Sequence, residues 1–209
     1  GAGHRVRKAE DYEVAMKKYL LALPIFLFPY SLLFGLYCLY TGFLMESVFQ
    51  NNGYLLILAL FLCTLVSLAF TGALCARSLA KKTDAAEMAK LNMIVKLVHI
   101  PAYIAIFLLG AVMLISVWGI GFTIVFFLHD VAAIAMTGFI GAVAVVRAGA
   151  EGRIPRRDAV LYAIGQFLFC IDIAACILLY LRVRGKRLPA ERVDVRPAEE
   201  QPEGQGNKL

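Results

Sequence analysis

The sequence predicts an all-α integral membrane protein, a bundle of five transmembrane helices with short loops. Hydrophobic residues make up 61% of the 209-residue chain and charged residues 17%, whereas a soluble domain typically has about 45–50% apolar and 25% charged residues. Five apolar stretches reach the length of about 20 residues that a helix needs to cross the ~30 Å hydrocarbon layer. The predicted spans are 19–43, 54–76, 93–118, 122–146 and 159–181.

The segments outside the spans are short and polar. Residues 1–18 form a basic segment, with a helical stretch leading into the first span. That span is too long for the apolar core of a signal peptide, so we expect it to be retained. Residues 182–209 are rich in Glu, Pro, Gln and Gly, a composition that predicts a disordered polar tail.

Positive charge alternates between successive loops. Basic residues precede the first span and follow the second and fourth, while the loops at 42–53 and 118–121 contain no Lys or Arg. The positive-inside rule therefore predicts a multi-pass protein with a cytoplasmic N-terminus. The expected location is a bacterial plasma membrane. Five crossings place the tail outside, yet it begins with basic residues. Either the tail is translocated despite them, or one span is re-entrant or miscounted; five crossings is the favoured interpretation because most basic residues precede the fifth span.

Composition also restricts the partners. The net charge of +6 comes from clusters at the ends of the spans, where Lys and Arg meet lipid headgroups, so the bilayer and not a nucleic acid is the expected partner. Five cysteines without metal-site spacing and only three histidines predict neither a metal site nor a cofactor. A membrane protein partner or a homo-oligomer stays open.

The fourth span has small residues at helical spacing. Thr137 and Gly141 form one pair, and Gly138 and Ala142 form another. Small residues four apart allow two helices to approach closely, which favours association in lipid. We therefore expect these four residues to make the fourth span central in the bundle. Pro24 and Pro29 are expected to bend the first span.

Ionisable residues inside spans are costly, and each is a candidate site residue. The set comprises Lys96, His99, His129, Asp130 and Asp172, with Gln166 as an uncharged addition. Lys96 is expected to extend to the headgroups, and His99 to bond a backbone carbonyl freed by Pro101.

Helical rise places Asp130 and Asp172 at similar depth on consecutive spans. If they lie together, at least one keeps its proton near neutral pH, because two carboxyls in a low dielectric do not both ionise easily. One hypothesis is a polar cavity for a proton or small cation, lined by these aspartates with His129 and His99. The other is that the polar residues only hydrogen-bond between helices.

Two stretches resemble small uncharacterised polytopic membrane proteins of Gram-positive bacteria. They are the run from Lys90 to Phe107 and the later Phe-Leu-Phe-Cys-Ile-Asp-Ile at 167–173. The resemblance covers spans three to five and implies no known activity.

The favoured function is an accessory or structural membrane subunit that packs against a partner. The alternative is a small proton-linked transporter or channel that uses the intramembrane carboxylates. An enzyme has less support, because the sequence contains no nucleophile elbow, His-Glu-x-x-His pair or phosphate-binding glycine loop.

Overall fold

The computed structural model describes residues 2–115, 119–168 and 171–185, and every regular element in these ranges is an α-helix. The all-α prediction is therefore confirmed for the described part of the chain. The end of the predicted third span and most of the predicted disordered tail lie outside the described residues. The helices are α1 (Ala2–Tyr40), α2 (Gly42–Phe49), α3 (Gly53–Ala80), α4 (Ala85–Leu114), α5 (Gly119–Ala150), α6 (Arg156–Gly165) and α7 (Ile171–Val183).

Four of these helices are long and apolar enough to cross a membrane: α1, from Lys18 onward, with α3, α4 and α5. This arrangement is compatible with an all-α membrane protein. Helix α5 is the most buried of the four, and side chains from its second half, such as Ile140 and Ala144, are fully buried in the main core.

The fifth predicted span, 159–181, is not one continuous helix. Helices α6 and α7 run antiparallel, since Asp158 near the start of α6 pairs with Arg182 near the end of α7, Oδ2 to Nη2 at 2.8 Å. Between them, a Cβ on Gly165 would lie 3.1 Å from the Cβ of Ala175. The structure therefore does not confirm a fifth crossing, and the two helices form a hairpin whose ends lie on the same side of the bundle.

One end of the bundle, which we call the basic end, contains residues 77–84, 147–157 and 182–184. Arg147 joins two connections there, because its guanidinium donates to the carbonyls of Thr83 at 2.8 Å and Lys82 at 2.9 Å. Arg153 donates to the Val183 carbonyl at 2.9 Å and also pairs with Asp84. These bonds hold the end of α7 beside the α3–α4 connection.

Asp84 is the N-cap of α4. Its side chain accepts hydrogen bonds from the backbone N–H of Ala86 at 2.8 Å and of Glu87 at 3.2 Å, which satisfies two donors that the first helical turn leaves free. Partial burial opposes ionisation, but these N–H groups and the charge of Arg153 outweigh it and lower the pKa of Asp84 below its ordinary value.

Candidate functional site

A polar stripe runs along one face of α4. Asn92, Lys96, His99 and Tyr103 are spaced four, three and four residues apart, which places them on the same side of a helix. The first three are each only 1% exposed, and Tyr103 is partly buried. The stripe faces the α6–α7 hairpin and α1, as its hydrogen bonds show.

Lys96 lies at the hairpin tip, which we define as residues 166–168 and 171–172. Its Nζ is 2.8 Å from Oδ2 of Asp172 and donates to the Gln166 carbonyl at 3.1 Å. Gln166 follows the last residue of α6, and Asp172 lies in the first turn of α7. The Lys96 ammonium therefore offsets both the partial negative charge at the C-terminus of α6 and the charge of the Asp172 carboxylate. The N-terminus of α7 also favours that carboxylate. The expectation that Lys96 extends to the headgroups is wrong.

Small residues of α5 make room for the tip. A Cβ on Gly138 would lie 2.5 Å from the ring of Phe167, and one on Gly141 would lie 2.5 Å from the side-chain oxygen of Gln166. That oxygen accepts a hydrogen bond from Asn92 Nδ2 at 2.9 Å. Two of the four predicted packing residues thus contact the hairpin of their own chain. Thr137 is buried and bonds carbonyls of its own helix, and Ala142 is partly buried.

His99 bonds a carbonyl freed by a proline, but not by the one expected. Its Nε2 lies 2.9 Å from the Ile25 carbonyl, whose partner in a regular helix would be the N–H that Pro29 lacks. The geometry assigns the proton to Nε2, and leaves Nδ1 to accept from the Tyr103 hydroxyl at 3.4 Å. A proline in α1 thus explains a buried histidine in α4.

His129 also binds α1. Its Nε2 lies 3.1 Å from the Phe28 carbonyl, and its ring stacks on the Phe28 ring with centroids 4.1 Å apart. This contact uses the polar edge and the flat face of the imidazole together. His129 and His99 therefore fasten α5 and α4 to successive parts of α1.

Asp130 lines an open apolar groove of about 650 Å³ between α4 and α5. The groove is bordered by Phe107 and Gly110 of α4, by Phe127 of α5, and at one side by Phe167 of the hairpin tip. Asp130 is partly buried, and its Oδ1 is buried without a hydrogen-bond partner among the described residues. Thr123 is the other polar side chain of the lining.

Asp130 and Asp172 do not form the expected pair. Asp172 lines a second groove of about 340 Å³ beside Tyr103, and the two grooves share Phe107 and Ile134 as a common border. Because an ammonium lies against Asp172, the reason for predicting a protonated carboxyl pair no longer applies. The structure brings together Asp172, Gln166 and Lys96, and it leaves Asp130 apart from them.

Sequence reasoning missed Asn92 and Tyr103 as members of the polar centre, and it placed the Lys96 ammonium at the headgroups. Their spacing with His99 was the available signal, because four polar residues on one face of an apolar helix indicate a buried polar contact. Within the described ranges, no three His, Cys, Asp or Glu side chains come together as metal ligands. The chain matches no protein-family model, and comparisons with curated proteins and with solved structures find no match.

Proposed function

We propose that this chain is an accessory subunit of a membrane protein complex, in the plasma membrane of a bacterium, and that it binds its partner along the α4–α5 groove. One observation carries the proposal. Of the ionisable groups inside the apolar helices, Lys96, His99, His129 and Asp172 all have an internal partner. Asp130 differs, because one of its oxygens is buried without a partner among the described residues, in a groove that no described helix covers. The fold itself therefore accounts for all of these groups except Asp130.

The proposed topology has four crossings and a hairpin that enters the membrane and returns. At 1.5 Å per residue, the ten residues of α6 extend about 15 Å, half of a ~30 Å hydrocarbon layer. Lys96 lies at a similar depth, about 17 Å along α4 from Ala85. Polar backbone at this depth is tolerated only where protein or a cavity surrounds it, and Lys96 and Asn92 of α4 supply hydrogen bonds to the tip.

This topology removes the conflict over the tail. With α7 returning to the basic end, Arg182 and Arg184 lie on the same side as Lys82, Arg156 and Arg157. The positive-inside rule then assigns the N-terminus, the hairpin ends and the start of the tail to the cytoplasm.

Cysteine labelling from one side of the membrane tests the topology. Single cysteines replace the exposed residues Asn51, Lys82 and Arg184 in a background with the native cysteines changed to serine or alanine. In sealed right-side-out vesicles we expect an impermeant maleimide to label only the cysteine at position 51. Labelling at position 184 together with 51 would restore five crossings and reject the hairpin.

Photo-crosslinking in the native membrane tests the accessory function. A photoreactive phenylalanine analogue replaces Phe127, which lines the groove, or Phe61, which is exposed on α3 and lines neither groove. We expect a discrete polypeptide adduct from position 127 and only lipid adducts from position 61. Lipid adducts alone at both positions would reject the accessory function.

A proton-linked transporter has less support. The mechanism predicted from the sequence used two carboxyls that share a cavity, whereas Asp130 and Asp172 border different grooves and Asp172 lies 2.8 Å from an ammonium. Infrared titration of each aspartate with its asparagine variant as control tests this alternative. If replacing one carboxyl shifted the titration of the other, transport assays would become the next step.

A further inference from the structure

The α4–α5 groove has the shape of a binding site for one helix. Its α4 side is a stripe at 106, 107, 110, 111 and 114, and its α5 side is a stripe from 123 to 135 at intervals of three and four residues. These stripes extend about 18 Å along α5, or roughly three helical turns. Gly110, Ala111 and Ala135 of the lining have little or no side chain. Small residues of this kind allow two helix backbones to approach closely.

In the described part of the chain the groove is uncovered, because the hairpin ends beside it. Phe167 at the tip closes one side, and none of the described helices packs over the remainder. Phe107 and Phe127 on its borders are 67% and 65% exposed, so the apolar surface continues outward on both sides. A straight helix can therefore lie along the groove without displacing any described part of the chain.

We propose that the occupant is a transmembrane helix of another protein, and that a Lys or Arg on that helix pairs with Asp130. This inference rests on the proposed accessory function and names the chemistry of the partner. A carboxylate inside the hydrocarbon layer is stabilised by a hydrogen-bond donor or an opposite charge. Asp130 lies about 12 Å along α5 from Phe122, below the expected headgroup level. A basic side chain on a neighbouring helix reaches that depth, while lipid headgroup amines stay at the interface.

No described residue of a second copy of this chain supplies that charge. Lys96 is the one Lys or Arg in the interior of the described apolar helices, and it is 1% exposed and paired with Asp172. The other described Lys and Arg side chains lie toward the basic end; on α5 the nearest is Arg147, 17 residues from Asp130. Since no described residue of a second copy brings a positive charge to Asp130, the expected partner is a different sequence.

Designed peptides in liposomes test the inference without knowledge of the partner. The probes are Leu/Ala transmembrane peptides of about 23 residues, one with a single Lys about 12 Å from its end and one with Leu at that position. Binding to the purified, reconstituted protein is measured by energy transfer between fluorescent labels. We expect the Lys peptide to bind about tenfold more tightly than the Leu peptide, and we expect Asp130→Asn to abolish the difference.

A steric variant provides an independent readout. Ala111→Trp fills the groove and leaves Asp130 in place, so it should weaken binding of the Lys peptide; Ala69→Trp, at an exposed site on α3, should not. Equal binding of the two peptides to the wild-type protein would overturn the inference, as would tight binding that survives both Asp130→Asn and Ala111→Trp.

The peptide and crosslinking results separate the two proposals. A polypeptide adduct at position 127 with no preference for the Lys peptide would leave the accessory function standing and reject the basic partner. An adduct between two copies of this chain would also overturn the inference. A preference for the Lys peptide that depends on Asp130, with an adduct to a different polypeptide, would support both proposals.

Discussion

Breaking the Lys96–Asp172 pair should destabilise the protein strongly. The side chains are 1% and 5% exposed and their charged atoms are 2.8 Å apart. Lys96→Met leaves a buried carboxylate without its counter-charge, and Asp172→Leu leaves a buried ammonium. Removing one member of a buried pair typically costs about 3–5 kcal/mol, so we expect each single variant to lose roughly that much.

The double variant distinguishes the pair from general damage to the core. Replacing both members of a buried pair by apolar residues is often neutral or stabilising by about 1–4 kcal/mol. Here Lys96 also donates to the Gln166 carbonyl, and an unsatisfied buried acceptor costs about 1–3 kcal/mol. These effects largely cancel, so Lys96→Met with Asp172→Leu should cost less than either single substitution.

The assay is reversible unfolding of the purified protein in mixed micelles with increasing SDS. The Asp158–Arg182 pair is the matched control, because its charged atoms are also 2.8 Å apart while its side chains are 30% and 47% exposed. Its disruption should cost only about 0–1 kcal/mol. A double variant at 96 and 172 that costs the sum of its singles would refute the reasoning, since the two residues would then act independently.

Three further predictions concern the hairpin, the proline contact and the α4 cap. Gly138→Ala should cost about 1–3 kcal/mol in the same assay, because the added methyl group overpacks against the hairpin tip. The control is Gly149→Ala, whose added Cβ has nothing within 4 Å and which should be neutral or stabilising by up to ~1 kcal/mol. Equal effects of the two substitutions would contradict the contact between Gly138 and the tip. His99→Phe should cost about 1–3 kcal/mol, because it leaves the Ile25 carbonyl of α1 without a partner. The cost should be smaller in a Pro29→Ala background, where the restored N–H of residue 29 bonds that carbonyl. An unchanged cost would show that His99 does not compensate for Pro29. Asp84 has a lowered pKa, so its charge stabilises the fold above the ordinary value of 3.8, and this contribution decreases as the pH falls below 3.8 and is lost through the lower folded-state pKa. Asp84→Asn should therefore be less stable than the wild type at about pH 7, and the difference in unfolding free energy should shrink as the pH is lowered below 3.8. A difference that does not change with pH would contradict this.

The all-α class and four of the apolar helices followed from composition and length, because these depend on local sequence alone. The small residues of the fourth predicted span were also identifiable, since their spacing is a property of one helix. The residues that these small residues contact were not identifiable from the sequence, because Gly138 and Gly141 pack against residues 166–167 of the same chain. A stripe of small residues indicates close approach and does not specify the neighbour.

The candidate site was predictable in its residues and not in its pairing. The cost of ionisable groups in lipid marked Asp130, Asp172, His99 and His129 as candidates. Depth along separate helices also placed the two aspartates at similar levels. Rotation about each helix axis and the position of Lys96 decide which groups meet, and a single sequence contains neither.

The sequence by itself determined the helical class, the apolar lengths and the alternation of basic loops, because hydropathy and charge are sums over neighbouring residues. The basic residues that begin the tail were already in conflict with five crossings. Only the tertiary structure decided that 159–181 folds back on itself, because this depends on Lys96, 70 residues away from the Gln166 carbonyl that it binds. Apolar length alone does not distinguish a crossing helix from two shorter helices that return to the same side.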